Sequence, residues 1–124
     1  MKRIEIFENF DQDTKQLIHV TTVENSELIK KDGFIPKPFI DYKYYSNLGK
    51  DGIYFYDNLR QVQQYSYFLN YKTKENKVAL IYVNVPKDII KMGEKLEDGY
   101  FIKRDDLNKI NITKIEYKKP SDIY

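Results

Sequence analysis

The sequence contains no cysteine, no tryptophan and only one histidine, His19, among its 124 residues. Without cysteine, the chain cannot form disulfides, thiolate-ligated zinc or iron–sulfur sites, or a thiol nucleophile. A single histidine excludes a histidine-rich metal centre, and no carboxylate loop of the calcium-binding kind occurs. We therefore expect chemistry that needs no metal.

Long apolar runs are also missing, so no segment reaches the length of a membrane span, and the first residues lack the apolar core of a signal peptide. The 21 lysines and arginines nearly balance the 19 acidic residues, and a net charge of +2 gives no strong attraction to nucleic acid or membranes. We expect a cytoplasmic protein that binds no membrane.

The remaining composition is that of one folded domain, which we expect to span residues 1–124. Hydrophobic residues make up 41% of the chain, enough for a packed core. No repeat or linker divides the sequence. Patterning predicts several strands and only two short helices, which favours an α+β fold over a parallel α/β sheet. The predicted strands cover about residues 3–6, 16–21, 52–56, 77–85, 99–103 and 110–117.

Two main helices are predicted from periodicity and capping residues. The first covers about residues 23–31, with Thr22 as the N-cap and Gly33 as the stop signal. The second follows Asp57 as its N-cap and runs to about residue 70. The strand at 77–85 is apolar on both faces, which indicates a central position in a sheet. Residues 35–50, with two prolines and several tyrosines, are expected to form a loop.

His19 is the first residue that could carry chemistry, because it is the only imidazole in the chain. It lies within a predicted strand and is followed by the hydroxyl residues Thr21 and Thr22. Taken alone, this pattern fits two interpretations. His19 either lines a cleft or is a half-buried residue bonded to a backbone carbonyl.

Two longer motifs favour the cleft. His19 is followed by Thr21, Asn25, a short helix with a buried aliphatic residue, and the pair Gly33–Phe34. A second segment runs Gly-Ile-Tyr54-Phe-Tyr-Asp and leads into a helix that carries Tyr65. In order and spacing these motifs resemble the His-Tyr-Glu type of ADP-ribosyltransferase, in the form found in poly(ADP-ribose) polymerase catalytic domains. The resemblance covers residues 19 to 65, about two-fifths of the chain.

The resemblance implies a split pair of antiparallel sheets around a cleft that binds NAD as co-substrate. It implies that His19 bonds a ribose hydroxyl on the adenosine side, in a motif that includes Thr21. The backbone of Val20 would hold the nicotinamide carboxamide. Tyr65 would stack on the nicotinamide ring and Tyr54 would line the other side of the pocket.

The third residue of the family's set, a glutamate at the start of a late strand, has no direct counterpart, because Gly99 occupies that position. Glu97 is our first choice for the catalytic carboxylate and Asp98 our second; the alternative is that both belong to a solvated turn. The family often has a serine three residues before the tyrosine that corresponds to Tyr65, and that position is Val62 here. That change removes a hydroxyl expected to bond the carboxamide.

The function implied is NAD-dependent mono-ADP-ribosyl transfer to a macromolecular acceptor, either protein or nucleic acid, as in a compact toxin or phage effector. A second interpretation is a weak or inactive relative that acts as a binding or inhibitor protein on the same fold. A third is an RNA 2′-phosphotransferase, which the single histidine disfavours. The sequence does not identify the acceptor.

Overall fold

A computed structural model describes residues 14–35, 52–92, 94–96 and 99–123. Their six strands and three α-helices are β1 (Thr14–Thr21), α1 (Val23–Asp32), β2 (Gly52–Phe55), α2 (Leu59–Thr73), β3 (Val78–Pro86), α3 (Lys87–Met92), β4 (Glu94–Leu96), β5 (Gly99–Lys103) and β6 (Asn111–Lys118). Short 3-10 helices cover Arg104–Lys109 and Pro120–Asp122. None of the helices within the described ranges is long and apolar enough to cross a membrane.

The strands form two antiparallel sheets, so the predicted α+β class is confirmed. The first sheet has the order β1-β3-β6 and the second has the order β2-β5-β4. The expected central strand is β3. Six of its nine residues are buried and the other three are partly buried, because both faces of the first sheet are covered. One face of that sheet packs with residues of the second sheet and α1, and the other packs against α2.

The helix boundaries follow from capping groups. Thr22 caps α1 as predicted, its hydroxyl accepting a hydrogen bond from the N–H of Asn25 at 3.0 Å. Gly33, at φ 79°, ends this helix. The prediction of Asp57 as the second N-cap is wrong. Asn58 caps α2, its side chain accepting from the N–H of Arg60 at 2.8 Å.

Asp57 is instead part of a polar contact that joins the two sheets. The ammonium group of Lys15 lies 3.3 Å from the Asp57 carboxylate and 3.4 Å from the hydroxyl of Tyr100. Burial lowers the pKa of Lys15, but the hydrogen bonds and the charge of these two partners outweigh it and leave that pKa raised. Lys15 therefore connects the start of β1 to the end of β2 and to β5.

Two short elements of the structure were not predicted, and two predictions fall on residues outside the described ranges. Helix α3 and strand β4 were not predicted, because six and three residues are too short to show a clear period. The predicted strand at residues 3–6 and most of the predicted loop, residues 36–50, fall outside the described residues.

Candidate functional site

The two sheets meet at one point, and their strands separate directly beside His19. Ile18 of β1 and Tyr56, which follows β2, exchange two backbone hydrogen bonds of 2.8 Å. They form the single isolated bridge that the described ranges contain. In a continued antiparallel ladder the next pair to exchange bonds would be Val20 and Tyr54.

The imidazole of His19 replaces a backbone N–H group as the donor to Tyr54 at the point where this ladder stops. Its Nδ1–H donates to the carbonyl oxygen of Tyr54 at 2.9 Å, an oxygen that an unbroken ladder would pair with the N–H of Val20. Alternate residues of a strand direct their N–H and C=O groups to the same edge, so those of Val20 point toward β2, as those of Ile18 do. We call the space between Val20 and Tyr54 the β1–β2 gap.

His19 is neutral at physiological pH. Burial lowers its pKa from 6.5 to about 4, and the hydrogen bond to Tyr54 opposes this only in part. A carbonyl oxygen can only accept, so Nδ1 carries the proton and Nε2 is left as an acceptor. The ring is held between two aromatic neighbours, Phe34 at 5.4 Å and Phe55 at 5.6 Å between centroids. A fixed neutral imidazole of this kind can accept a hydrogen bond from a hydroxyl group.

A small cavity of about 130 Å³ adjoins His19. It lies along one face of α1 and against the residues that follow this helix, and it is lined by His19, Asn25, Leu28, Ile29, Asp32, Gly33, Phe34, Ile35 and Ile53. The volume suits one ring of a ligand rather than a whole dinucleotide. We call it the His19 cavity.

Thr21 supports this cavity indirectly. It is 8% exposed, and its hydroxyl accepts a hydrogen bond of 2.8 Å from the side-chain amide of Asn25. That bond holds the side chain of Asn25 in place. Asn25 lines the cavity, whereas Thr21 is not among the lining residues. The structure therefore gives Thr21 a positioning role beside the predicted site.

The tyrosines lie on the other face of the strands. Four aromatic rings lie in sequence on this face. The distance between ring centroids is 5.3 Å for Tyr54 and Tyr56, 5.8 Å for Tyr56 and Tyr65, and 6.1 Å for Tyr65 and Phe68. We call these four rings the aromatic row. Tyr56 and Tyr65 pack against the cluster that contains Ile18 and Val20. The row therefore adjoins β1 on the face opposite His19.

The predicted site residues are thus arranged around the β1–β2 gap, but they do not line one cavity. His19 faces the cavity on one side, Tyr54 and Tyr65 belong to the aromatic row on the other, and Val20 lies at the edge between them. Tyr56 lies between the two predicted tyrosines, a neighbour that the motif spacing did not single out.

The carboxylate choices, Glu97 and Asp98, lie outside the described residues. Their flanking residues Leu96 and Gly99 are paired across β4 and β5. Gly99 lies against β2, where an added Cβ would overlap the carbonyl oxygen of Phe55 and come within 2.9 Å of the Tyr54 ring. The polypeptide next to Glu97 and Asp98 therefore contacts the first member of the aromatic row.

Val62, at the position of the family's serine, is fully buried. The nearest hydroxyl on that face of α2 belongs to Ser66, which is also fully buried and donates to the carbonyl oxygen of Val62 at 2.7 Å. Position 62 therefore supplies no hydroxyl to a ligand.

Two polar residues of the cavity, Asn25 and Asp32, were not assigned as site residues from the sequence. They are seven positions apart on α1 and therefore lie on the same face of this helix. That face borders the cavity that His19 lines from β1. That spacing is the signal that could have identified them.

Comparison of the chain with models of protein families, with curated proteins and with solved structures finds no match.

Proposed function

We propose that this protein is an NAD-dependent mono-ADP-ribosyltransferase with an ADP-ribosyltransferase-like fold. The observation that carries the proposal is the β1–β2 gap, where a backbone edge at Val20 separates a neutral imidazole from a row of aromatic rings. These are the three kinds of group that the resemblance assigns to NAD binding, and they come from the two matched motifs.

The adenosine half of NAD would occupy the His19 cavity. Nε2 of His19 would accept a hydrogen bond from a ribose hydroxyl, which requires the neutral ring that burial favours. The chain of the dinucleotide would then pass the β1–β2 gap. There the N–H and C=O of Val20 can bond the oxygen and the NH₂ group of the nicotinamide carboxamide.

The nicotinamide half would lie against the aromatic row, with Tyr65 as the stacking residue. In the transfer reaction the bond between nicotinamide and C1′ of the ribose breaks, nicotinamide leaves with the bonding electrons, and a nucleophile of the acceptor adds to C1′ and loses its proton. Positive charge develops on the ribose, and the electron-rich faces of Tyr54 and Tyr56 can stabilise it.

The carboxylate that would bond the nicotinamide ribose is Glu97, with Asp98 as the alternative. Its support is the position of Gly99, the next described residue along the chain, against the ring of Tyr54. The acceptor is a macromolecule, either protein or nucleic acid.

One observation favours a second function, that of a binding or inhibitor protein that holds a ligand without turning it over. Val62 is fully buried where the family has a serine hydroxyl, so one anchor of the carboxamide is missing. A protein of this kind would still bind NAD or a related molecule in the His19 cavity.

A labelling experiment separates the two functions. The protein is incubated with NAD labelled in the adenosine half and with cell lysate, and label in protein and in nucleic acid is measured separately, together with released nicotinamide. We expect transfer or nicotinamide release by the wild type and its loss in His19→Ala and Tyr65→Ala. Tyr67→Ala is the matched control, because Tyr67 is on the same helix and 53% exposed. Binding of NAD without release of nicotinamide would favour the binding protein, and absence of binding would refute both.

A further inference from the structure

Among the residues that the structure describes, the lining of the His19 cavity contains one formal charge, and it is negative. Five of the lining side chains are apolar, belonging to Leu28, Ile29, Phe34, Ile35 and Ile53, and the polar ones are those of His19, Asn25 and Asp32. The imidazole is neutral and the amide uncharged, so Asp32 is the only charged side chain among the lining residues that the structure describes.

The position of the cavity on α1 adds to this negative potential. Residues 28 to 33 form the last turns of the helix and its stop, where the unpaired carbonyl groups carry partial negative charge. Lys30 and Lys31 lie in the same last turn but are not lining residues. The ammonium group of Lys30 is 3.3 Å from the carboxylate of Glu27 and lies over the ring of Tyr117, away from the cavity.

Asp32 is exposed at the edge of the cavity, and the described lining therefore favours a ligand group that is uncharged or donates hydrogen bonds. Nε2 of His19 and the carboxylate of Asp32 are both acceptors, which suits a pair of hydroxyl groups. A phosphate would add roughly two negative charges beside this carboxylate, and the described part of the lining contains no cation to compensate them. Rossmann-fold dinucleotide sites, on a different architecture, use the same chemistry: an acidic side chain binds a free ribose 2′-hydroxyl and a cation accommodates a 2′-phosphate.

We propose that Asp32 is a specificity-determining residue that makes the His19 cavity accept an unphosphorylated ribose, so that the protein binds NAD and rejects NADP. The proposal rests on the proposed function, since it takes the ligand to be a nicotinamide dinucleotide. It assigns a role to a side chain outside the three residues that define the family's motif.

Titration calorimetry with NAD and with NADP tests this role on the whole chain. We expect the wild type to bind NAD at least roughly 30-fold more tightly than NADP, since charge repulsion at a site close to the surface is weakened but not abolished. Asp32→Asn should reduce the ratio to within about threefold, and Asp32→Lys should bring NADP binding to or above that of NAD. Glu27→Gln is the matched control: it removes an exposed carboxylate from the same helix outside the cavity and should leave the ratio unchanged.

The outcomes separate this inference from the function on which it rests. Equal binding of NAD and NADP by the wild type, or an unchanged ratio in Asp32→Asn, would overturn the role of Asp32 and leave the transferase proposal intact. Absence of NAD binding by the wild type would overturn both.

A second measurement does not depend on folding of the variants. Adenosine and adenosine 2′-monophosphate are compared as competitors of NAD on the wild-type protein. We expect adenosine to compete and the 2′-phosphate to compete at least roughly tenfold less well. Equal competition would contradict the inference.

Discussion

Protonation of His19 should destabilise the folded protein, and the pH window follows from its pKa. Burial lowers the pKa from 6.5 to about 4, so between these values the unfolded chain binds a proton that the folded protein does not. Stability from the neutral imidazole is therefore fully present above pH 6.5 and is lost as the pH falls toward 4. At about pH 4.5 the loss amounts to about 2.5 kcal/mol of unfolding free energy.

The assay is urea unfolding followed by circular dichroism, at intervals between about pH 7.5 and 4.5. Carboxylates also titrate in the lower part of this range, so the informative quantity is the difference between the wild type and His19→Gln, which has no imidazole. We expect the wild type to lose about 2.5 kcal/mol more than the variant across the range. Parallel curves for the two proteins would show that His19 titrates normally and would refute its assignment as a buried neutral group.

Three further substitutions test the packing around the β1–β2 gap. Phe55→Ala removes a fully buried ring in contact with His19 and should lower the unfolding free energy by about 3–5 kcal/mol, measured by urea denaturation. Gly99→Ala should destabilise the protein and weaken NAD binding in calorimetry, because the added methyl group overlaps β2 beside Tyr54; unchanged binding would show that this contact does not matter. Asn58→Ala removes the N-cap of α2 and should cost about 1 kcal/mol with little effect on NAD affinity, whereas no change in the melting temperature would contradict the capping role.

Local signals were sufficient to predict much of the fold. Strand β5 has the predicted limits. Strand β3 was predicted to be central because apolar residues occupy both of its faces, and it is the central strand of its sheet. Thr22 and Gly33 fixed the limits of α1, since each meets a specific need of a helix end. The prediction failed at Asp57, because Asp and Asn are both good caps and the choice between them depended on Lys15, a residue distant in sequence.

The candidate site was predicted from the sequence only as a set of residues, without their arrangement. Motif spacing indicated His19, Tyr54 and Tyr65 but not that the imidazole and the rings lie on opposite faces of the strands. That arrangement depends on the Ile18–Tyr56 bridge, which joins residues 38 positions apart and leaves no mark in local sequence. The negative lining of the cavity likewise became visible only once Asp32 was placed beside His19.

The most direct test of NAD binding at this site uses the two ring nitrogens of the single histidine, observed by nitrogen NMR in labelled protein. At about pH 7 the free protein should show the neutral tautomer with the proton on Nδ1, bonded to the Tyr54 carbonyl. Addition of NAD should shift the Nε2 resonance as it accepts a hydrogen bond from the ribose, and leave the Nδ1 proton in place. An Nε2 resonance that does not change at saturating NAD would contradict the assignment of His19 to the NAD site.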